Sequence, residues 1–468
     1  MRITRRNFLR GAAAGATFGP SLFGRSLVQQ ALASNIGNRF LVNIFLDGGI
    51  DGFNTIVPVD DGGGSLRTAY DDHRHTGNGG LNLDPGVLLP VGTDPNTGAT
   101  LGFHPALAGL HHLHTSRGRV AIVQGCGYPE YSLSHEVSAN IWHSGNPLGA
   151  PLAGGWLGRN LERSYGASDV PAVGVDWSLP GELQQSATSV LTIKRLEWFG
   201  WPHDWERWWD RDSMRDTYDQ LYATAAGSAF GELASLGATG GATLVASEAY
   251  PDLDDLYTQA RPSWEEQYRG LGTSLGRDFG EVAKMIHGVS QGVPNVNARY
   301  FSLRQGGYDT HSDQGGSSLS GRHGSLLAEL GDGLRLFYED LEDMGLIDDV
   351  LVTIFSEFGR RAPQNDSGTD HGSQGPMFLI GGKVQGGLSG NHPNLEEAAL
   401  DEDGNPPYSQ DPDDPFRSID FRDVQGHVLD SWVGLSRSEI LTHILPVDPG
   451  PAETYWTSPD FDRGIILP

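Results

Sequence analysis

The chain has 468 residues, of which 38% are hydrophobic and 19% are charged, as expected of a folded globular protein. This length suits one large α/β domain with insertions, or two domains. The formal net charge of −27 repels the phosphates of DNA and RNA, so the sequence argues against a nucleic-acid partner. The single cysteine, Cys126, excludes an intramolecular disulfide framework.

The amino terminus has the features of an export signal. The pair Arg5-Arg6 precedes a short, weakly apolar stretch at 11–24 and small residues at 31–33. This pattern predicts a removable twin-arginine signal peptide at residues 1–33. The apolar stretch is shorter than the ~20 residues that span a bilayer, so we expect no membrane span in the mature chain. We therefore expect the twin-arginine translocation machinery as a partner and a periplasmic or secreted location.

The first strand of the mature chain is predicted at residues 39–46, a β-type apolar run that ends at Asp47. A glycine-rich segment follows and contains Asp51. Glycine allows tight turns and close backbone approach. Asp47 and Asp51 are therefore candidate metal ligands at the end of the strand, although capping of a turn or helix is an alternative for each.

The next segments are predicted as a surface loop at 60–96, a second strand at 119–124 and a helix that begins near Ser134. Ser134 has two interpretations. A serine at a helix start is commonly an N-cap, but the same helix end stabilises an oxyanion and suits a nucleophile. Ser132 is the alternate nucleophile. For His135, ligation, proton donation and packing all stay open.

Residues 165–260 are the least patterned part of the chain, and we interpret them as an insertion with its own small core. An aromatic lid or a sugar-stacking platform is the alternative, because five of the 11 tryptophans cluster here. These five are Trp198, Trp201, Trp205, Trp208 and Trp209. Residues 391–417 are acidic and rich in proline, which predicts a loop.

The carboxyl-terminal half predicts a helix at 272–289, a strand at 297–303, a helix at 326–341 and a strand at 350–355. Strand, helix and strand in this order predict a parallel, right-handed crossover. A further apolar run at 376–380 predicts another strand.

Acids and histidines recur where these predicted strands meet glycine-rich loops. They are Asp309, His311, Glu357, Asp370 and His371. Ligands bind beyond the carboxyl ends of the strands in an open α/β sheet. We therefore predict a cage for one or two divalent ions, with zinc, manganese, magnesium and calcium all compatible. Arg360 is a candidate clamp for a bound anion, and a structural role is its alternative.

Several motifs together resemble an exported bacterial family, domain-of-unknown-function family 1501, which belongs to the alkaline-phosphatase-like superfamily. They are the twin-arginine start and the segments 48–54, 101–107, 134–135, 155–159, 309–311, 356–360 and 368–372. The resemblance implies an alkaline-phosphatase-like, mostly parallel central sheet flanked by helices on both faces. It implies one such domain at 34–468, with a variable insertion at about 165–260 and an acidic loop at 391–417.

The superfamily resemblance also implies roles for individual residues. The segment 368–371 looks like the Thr-Asp-His element of metal-dependent phosphomutases, whose histidine is a metal ligand. Asp47 stands where the first metal-binding aspartate of the superfamily follows its first strand. Ser132 or Ser134 stands where a nucleophile opens a helix. Glu357 matches the aspartate of an Asp-His pair, but Phe358 stands in place of the histidine.

These observations predict a metal-dependent hydrolase that acts on a small or polymeric phosphate ester or a related anionic ester. Asp309, His311, Glu357, Asp370 and His371 would hold the metal, completed by Asp47 or Asp51. The alternative is a secreted binding or assembly protein that keeps the fold without catalysis.

Overall fold

The computed structural model describes residues 36–76, 79–129, 131–146, 154–184, 188–200, 211–316, 321–395, 417–447, 456 and 459–467. The predicted signal peptide, four of the five clustered tryptophans and most of the predicted acidic loop lie outside these residues.

Strands are numbered in chain order, and together they form three sheets. They are β1 (Phe40–Asp47), β2 (Ile56–Pro58), β3 (Leu89–Thr93), β4 (Thr100–Phe103), β5 (Val120–Gly127), β6 (Ala172–Gly174), β7 (Val190–Thr192), β8 (Tyr300–Gly306), β9 (Val350–Ser356), β10 (Gly359–Asn365), β11 (Gly368–Gly372), β12 (Gln374–Gly381), β13 (Gly387–Ser389) and β14 (Ile419–Asp420).

Thirteen α-helices lie within the described residues. They are Gly52–Thr55, Leu66–His73, Ala108–Arg117, His135–Ser144, Trp156–Ser164, Arg211–Ala226, Gly231–Ala249, Asp252–Ala260, Pro262–Gly270, Ser274–Ser290, Arg322–Asp343, Phe421–His427 and Arg437–Glu439. Two π-helical segments follow the last two of these, at Val428–Val433 and Ile440–Ile444.

Nine of the described strands form a central sheet in the order β13-β5-β12-β9-β1-β8-β6-β7, with β14 also paired to β5. The pairs of β1 with β8 and with β9 are parallel, whereas β12 pairs antiparallel with both β5 and β9. Strand β12 therefore runs against the other eight strands of this sheet. The predicted α/β class and the mostly parallel central sheet are confirmed.

Both faces of this sheet are covered by helices, which explains the nearly continuous apolar runs in its strands. Along β1, Val42 and Ile44 pack with the helices Ala108–Arg117, Ser274–Ser290 and Arg322–Asp343. Leu41 and Phe45 face the other way and belong to a second core with the helices His135–Ser144 and Trp156–Ser164. The period of two along an extended strand produces this division.

Two parts of the prediction are wrong. The segment predicted as a surface loop at 60–96 contains the helix Leu66–His73 and strand β3. The insertion is largely helical from residue 211, and Tyr250 and Leu253 join the main core instead of forming a separate one. Local sequence cannot show this, because the partners of these side chains lie far along the chain.

The direction of β12 determines which residues meet at one edge of the sheet. Parallel strands β1, β5, β8 and β9 all end at that edge, and β12 begins there. The antiparallel hairpin of β10 and β11 lies between the end of β9 and the start of β12. Loops from both halves of the chain therefore meet at this edge. None of the described helices combines the length and apolar character that a bilayer crossing demands.

Candidate metal centre

The candidate metal centre lies at this edge and draws on three segments. Asp309 follows β8, His135 is the first residue of the helix after β5, and His371 lies in β11. One ligand atom from each residue lies within 4.8 Å of the other two. The structure therefore brings together two of the predicted ligands, Asp309 and His371, with His135.

Asp309 is the centre of this cluster. Its Oδ1 atom lies 3.5 Å from His135 Nε2, 3.3 Å from His371 Nε2 and 3.2 Å from His311 Nε2. Arg360 Nη2 lies 2.7 Å from the same oxygen. Burial alone would raise the pKa of Asp309, but the hydrogen bond and the positive charge of Arg360 outweigh it and lower this pKa to about 2. The carboxylate is therefore ionised at neutral pH.

His135 is held by a buried acid. Its Nδ1 atom lies 2.7 Å from Oε1 of Glu357, whose side chain has no exposed surface. This hydrogen bond is the main reason that the pKa of His135 is raised. The Nε2 atom is buried and has no hydrogen-bond partner among the described residues. A neutral imidazole that donates from Nδ1 to a carboxylate presents its Nε2 lone pair to a metal.

His371 is oriented in the same way by the backbone. Its Nδ1 atom lies 2.7 Å from the carbonyl oxygen of Leu133. A carbonyl only accepts hydrogen bonds, so the proton is on Nδ1 and Nε2 carries the lone pair. Burial lowers the pKa of His371, which favours its neutral form. Both histidines thus offer Nε2 toward Asp309.

Two further predicted ligands lie on the solvent side of this cluster. His311 Nε2 lies 2.8 Å from His371 Nε2, and His311 Nδ1 lies 3.4 Å from Asp370 Oδ1. About half of each side chain, 45% for His311 and 51% for Asp370, is exposed. They are placed to extend the cluster outward.

Glu357 has a different place from the one predicted. Besides His135, its Oε1 atom accepts from the backbone N–H of Gly48 at 2.9 Å, and its Oε2 accepts from Ser356 Oγ at 3.0 Å. Both oxygens are therefore used within the protein. Glu357 is a positioning residue for His135 rather than a ligand.

The two acids near the end of β1 lie outside the cluster, which corrects their prediction as ligands. Asp51 forms a fully buried, bidentate ion pair with Arg74 at 2.7 and 3.0 Å and also accepts from Gln314. Burial opposes its ionisation, but Arg74 lowers the pKa of Asp51 below its usual value. Asp47 pairs with Arg304. Each carboxylate already has a cationic partner.

The prediction that Arg360 clamps an anion is also corrected, because its side chain is fully buried and bonds to groups within the protein. The side chain is fully buried, and Nε donates to Gly49 at 3.0 Å while Nη1 donates to Thr369 at 2.9 Å. Nη2 donates to the carbonyls of Gly48 and Tyr308 and to Asp309. Arg360 therefore joins the loops after β1 and β8 to the hairpin and holds Asp309 in place.

The predicted nucleophiles lie in the loop that contacts His371 through Leu133. Ser134 is exposed and is the N-cap residue of the helix His135–Ser144, but its side chain makes no capping hydrogen bond. Ser132 Oγ accepts from the backbone N–H of Ser134 at 3.2 Å. Ser134 thus has the freer hydroxyl of the two.

Comparison with known proteins adds one finding. Residues 291–408 match DUF1501, a protein family of unknown function. The match supports the family resemblance of this chain and includes Asp309, His311, Glu357, Asp370 and His371. No curated protein matches the chain.

His135 lies outside the DUF1501 match, and sequence reasoning left its role open. The available signal was its position directly after Ser134 at a predicted helix start, within a loop that follows a strand. The partner that orients it, Glu357, is 222 positions away. Only the fold shows that the DUF1501 segment and the helix His135–Ser144 share one site.

Proposed function

We propose that this protein is a metal-dependent hydrolase of phosphate esters or related anionic esters. The observation that carries the proposal is the buried Nε2 atom of His135, which has no hydrogen-bond partner among the described residues and lies 3.5 Å from Asp309 Oδ1, while Glu357 holds the opposite nitrogen. A buried polar atom without a partner is costly in a folded protein. A cation bound between His135, Asp309 and His371 would remove that cost.

The geometry and the donor types fit such a cation. Bonds of about 2.0–2.1 Å in a tetrahedral site place neighbouring ligand atoms about 3.3–3.4 Å apart. Asp309 Oδ1 lies 3.5 and 3.3 Å from the two imidazole nitrogens. Two imidazoles with one carboxylate favour zinc over manganese, magnesium and calcium, which prefer oxygen ligands.

The side chains and backbone groups around the cluster could support the hydrolysis of an ester. A bound divalent ion supplies Lewis-acid polarisation of the ester oxygen. Ser134 is the proposed nucleophile, because its hydroxyl is exposed and makes no capping hydrogen bond. The free N–H groups and the dipole in the first turn of the helix His135–Ser144 would stabilise the negative charge of the anionic ester. His311 and Asp370 occupy the solvent side, where a substrate enters.

We also propose that the protein is exported and that it belongs to a wider superfamily. Residues 1–33 would direct the folded protein through the twin-arginine pathway to the periplasm or the exterior. The alkaline-phosphatase-like superfamily is supported by the sheet edge at which the ligands meet and by the Thr-Asp-His motif that ends at His371.

One observation favours a second candidate function, a binding or assembly protein without catalysis. Phe358 packs on both His135 and His371. Its ring centroid lies 4.9 Å from that of His135 and 4.6 Å from that of His371. It fills the position where a two-metal superfamily member has a histidine. The chain would then use its cluster to bind an anionic partner rather than to cleave it.

Metal analysis combined with an activity panel tests these alternatives. The full-length protein is purified without chelators, its bound metal is measured by mass spectrometry, and aryl phosphate monoesters, diesters and sulfates are assayed. The hydrolase proposal expects bound metal and turnover that Ser134→Ala abolishes while metal content is kept. Bound metal without turnover would favour the binding role, and absence of both would overturn the metal centre.

A further inference from the structure

Two tryptophans form an exposed pair away from the metal cluster. Trp177 is 75% exposed and Trp198 is 65% exposed. Their ring centroids lie 6.3 Å apart, and their ring planes differ by 24°. Such exposure leaves a large apolar area in water, which is a cost to the folded protein. A ligand that covers the two stacked indoles would remove this cost.

Topology places this pair on the same side of the sheet as the metal cluster. Trp177 follows the end of β6 and Trp198 follows the end of β7, and both strands run parallel to β8. Strand β6 is paired with β8, so it lies about 5 Å to the side. The last residue pair between these two strands is Gly174 with Ser302. Ser302 lies four residues before the end of β8, which corresponds to about 13 Å along the strand. The pair and the metal cluster therefore both follow strands that end on this side of the sheet, and the ends of β6 and β8 are offset by roughly 13 Å.

The size and surroundings of the pair favour a small ring with a polar edge. Two indoles offer at most about 150–250 Å² each, well below the roughly 800 Å² that each partner buries in a stable protein interface. Asp176 and Glu197 lie beside the two tryptophans in sequence, and Glu197 is exposed. Carboxylates accept hydrogen bonds from hydroxyl groups, and the acidic chain repels nucleic acid and anionic lipid.

We propose that Trp177 and Trp198 form a carbohydrate-binding platform, on which the C–H face of a sugar ring stacks while its hydroxyls reach the neighbouring carboxylates. Sugar C–H groups carry partial positive charge and match the negative face of an aromatic ring. Resting on the proposed hydrolase function, the platform holds the glycan portion of a substrate whose anionic ester reaches the metal cluster. Because the platform and the cluster lie beyond the ends of different strands, an oligosaccharide rather than a single sugar would be needed to reach both.

The platform is tested first without metal or ester, so that the result does not depend on hydrolysis. Binding of neutral hexasaccharides of β-1,4-glucose, β-1,4-N-acetylglucosamine, β-1,4-mannose and α-1,4-glucose is measured by calorimetry on full-length, chelator-treated protein. We expect binding of at least one hexasaccharide. Trp177→Ala and Trp198→Ala should each weaken it about tenfold, in line with losses seen when aromatic stacking partners are removed.

Phe230→Ala is the matched control, because Phe230 is 78% exposed in another part of the chain. No binding of any of the four hexasaccharides, or equal binding by the tryptophan variants, would overturn the platform. Self-association that both tryptophan variants abolish would also overturn it, in favour of a protein contact. Binding without turnover of any ester would uphold the platform and count against the hydrolase.

Discussion

The Nδ1 atom of His135 lies 2.7 Å from Oε1 of Glu357, a carboxylate that is completely buried. This contact joins the first residue of a helix to the residue after strand β9. The backbone N–H of Gly48 fixes the same oxygen at 2.9 Å. The ring of His135 is therefore oriented before any ion binds, and its Nε2 atom faces Asp309. Preorganisation of this kind raises metal affinity because little motion is lost on binding.

Glu357→Gln is expected to weaken metal affinity by about 10–100-fold, the range found when the partner of a ligating histidine is changed. The amide oxygen keeps the bond from Gly48, but the charge that supports His135 is lost. Affinity is measured by competition with a chromophoric chelator. Glu339→Gln is the matched control, since Glu339 lies 3.8 Å from His112 outside the site. Equal affinity in the two variants would contradict the positioning role.

His371→Ala is expected to lose bound metal and ester turnover together, because the variant lacks one of the three proposed ligands. Metal per chain is measured by mass spectrometry after gel filtration. His112→Ala removes a half-exposed histidine elsewhere and should keep full metal content. Unchanged metal content in His371→Ala would show that the ion, if bound, is held by other residues.

Arg360→Met is expected to lower the free energy of unfolding by at least about 3 kcal/mol, because buried carbonyls lose their donors and Asp309 loses its cationic partner. Urea unfolding followed by circular dichroism measures this change. Arg304→Met is the comparison, since Arg304 is 50% exposed in its pair with Asp47 and should cost less than about 1 kcal/mol. Similar losses in both variants would argue that the Arg360 contacts contribute little.

Stability is expected to fall as the pH falls from about 6.5 toward 3, because His323 must stay neutral in the core. Burial lowers the pKa of His323 to about 3. Below pH 6.5 the unfolded state therefore binds a proton on this imidazole, whereas the folded state binds it only as the pH approaches 3. The stability that neutral His323 contributes is fully present above pH 6.5 and is lost as the pH falls toward 3. Asp51, whose pKa is also lowered, acts in the same direction.

The measurement is the free energy of unfolding between pH 4 and 8 for the parent protein and for His323→Gln. Glutamine keeps a polar group within reach of Thr55, whose Oγ1 lies 3.3 Å from His323 Nε2. The variant should lose less stability than the parent between pH 6.5 and 4. An identical pH dependence would assign the loss to other groups.

The sequence predicted the site best where local pattern and topology agree. The apolar runs that became β8 and β9 are long and β-rich, so the positions of Asp309 and Glu357 beyond their ends could be predicted. Ion pairs between distant segments carry no such local signal. Arg74, the partner of Asp51, lies in a segment predicted as loop, and the buried contacts of Arg360 come from two distant loops and from β11. Charge and spacing alone therefore misplaced both Asp51 and Arg360.

Strand β12 runs against the rest of the central sheet, and this has an evolutionary consequence. After β9 the chain reverses direction before it enters β12, and the β10–β11 hairpin lies within this reversal. The hairpin therefore carries His371 without belonging to the central sheet. Substitutions at the exposed turn of that hairpin, at Asn365 and Asp366, can reshape the rim around the cluster while leaving buried Arg360 and the strands beneath intact. Variation at this turn can thus alter the chemistry of the edge at a small risk to folding.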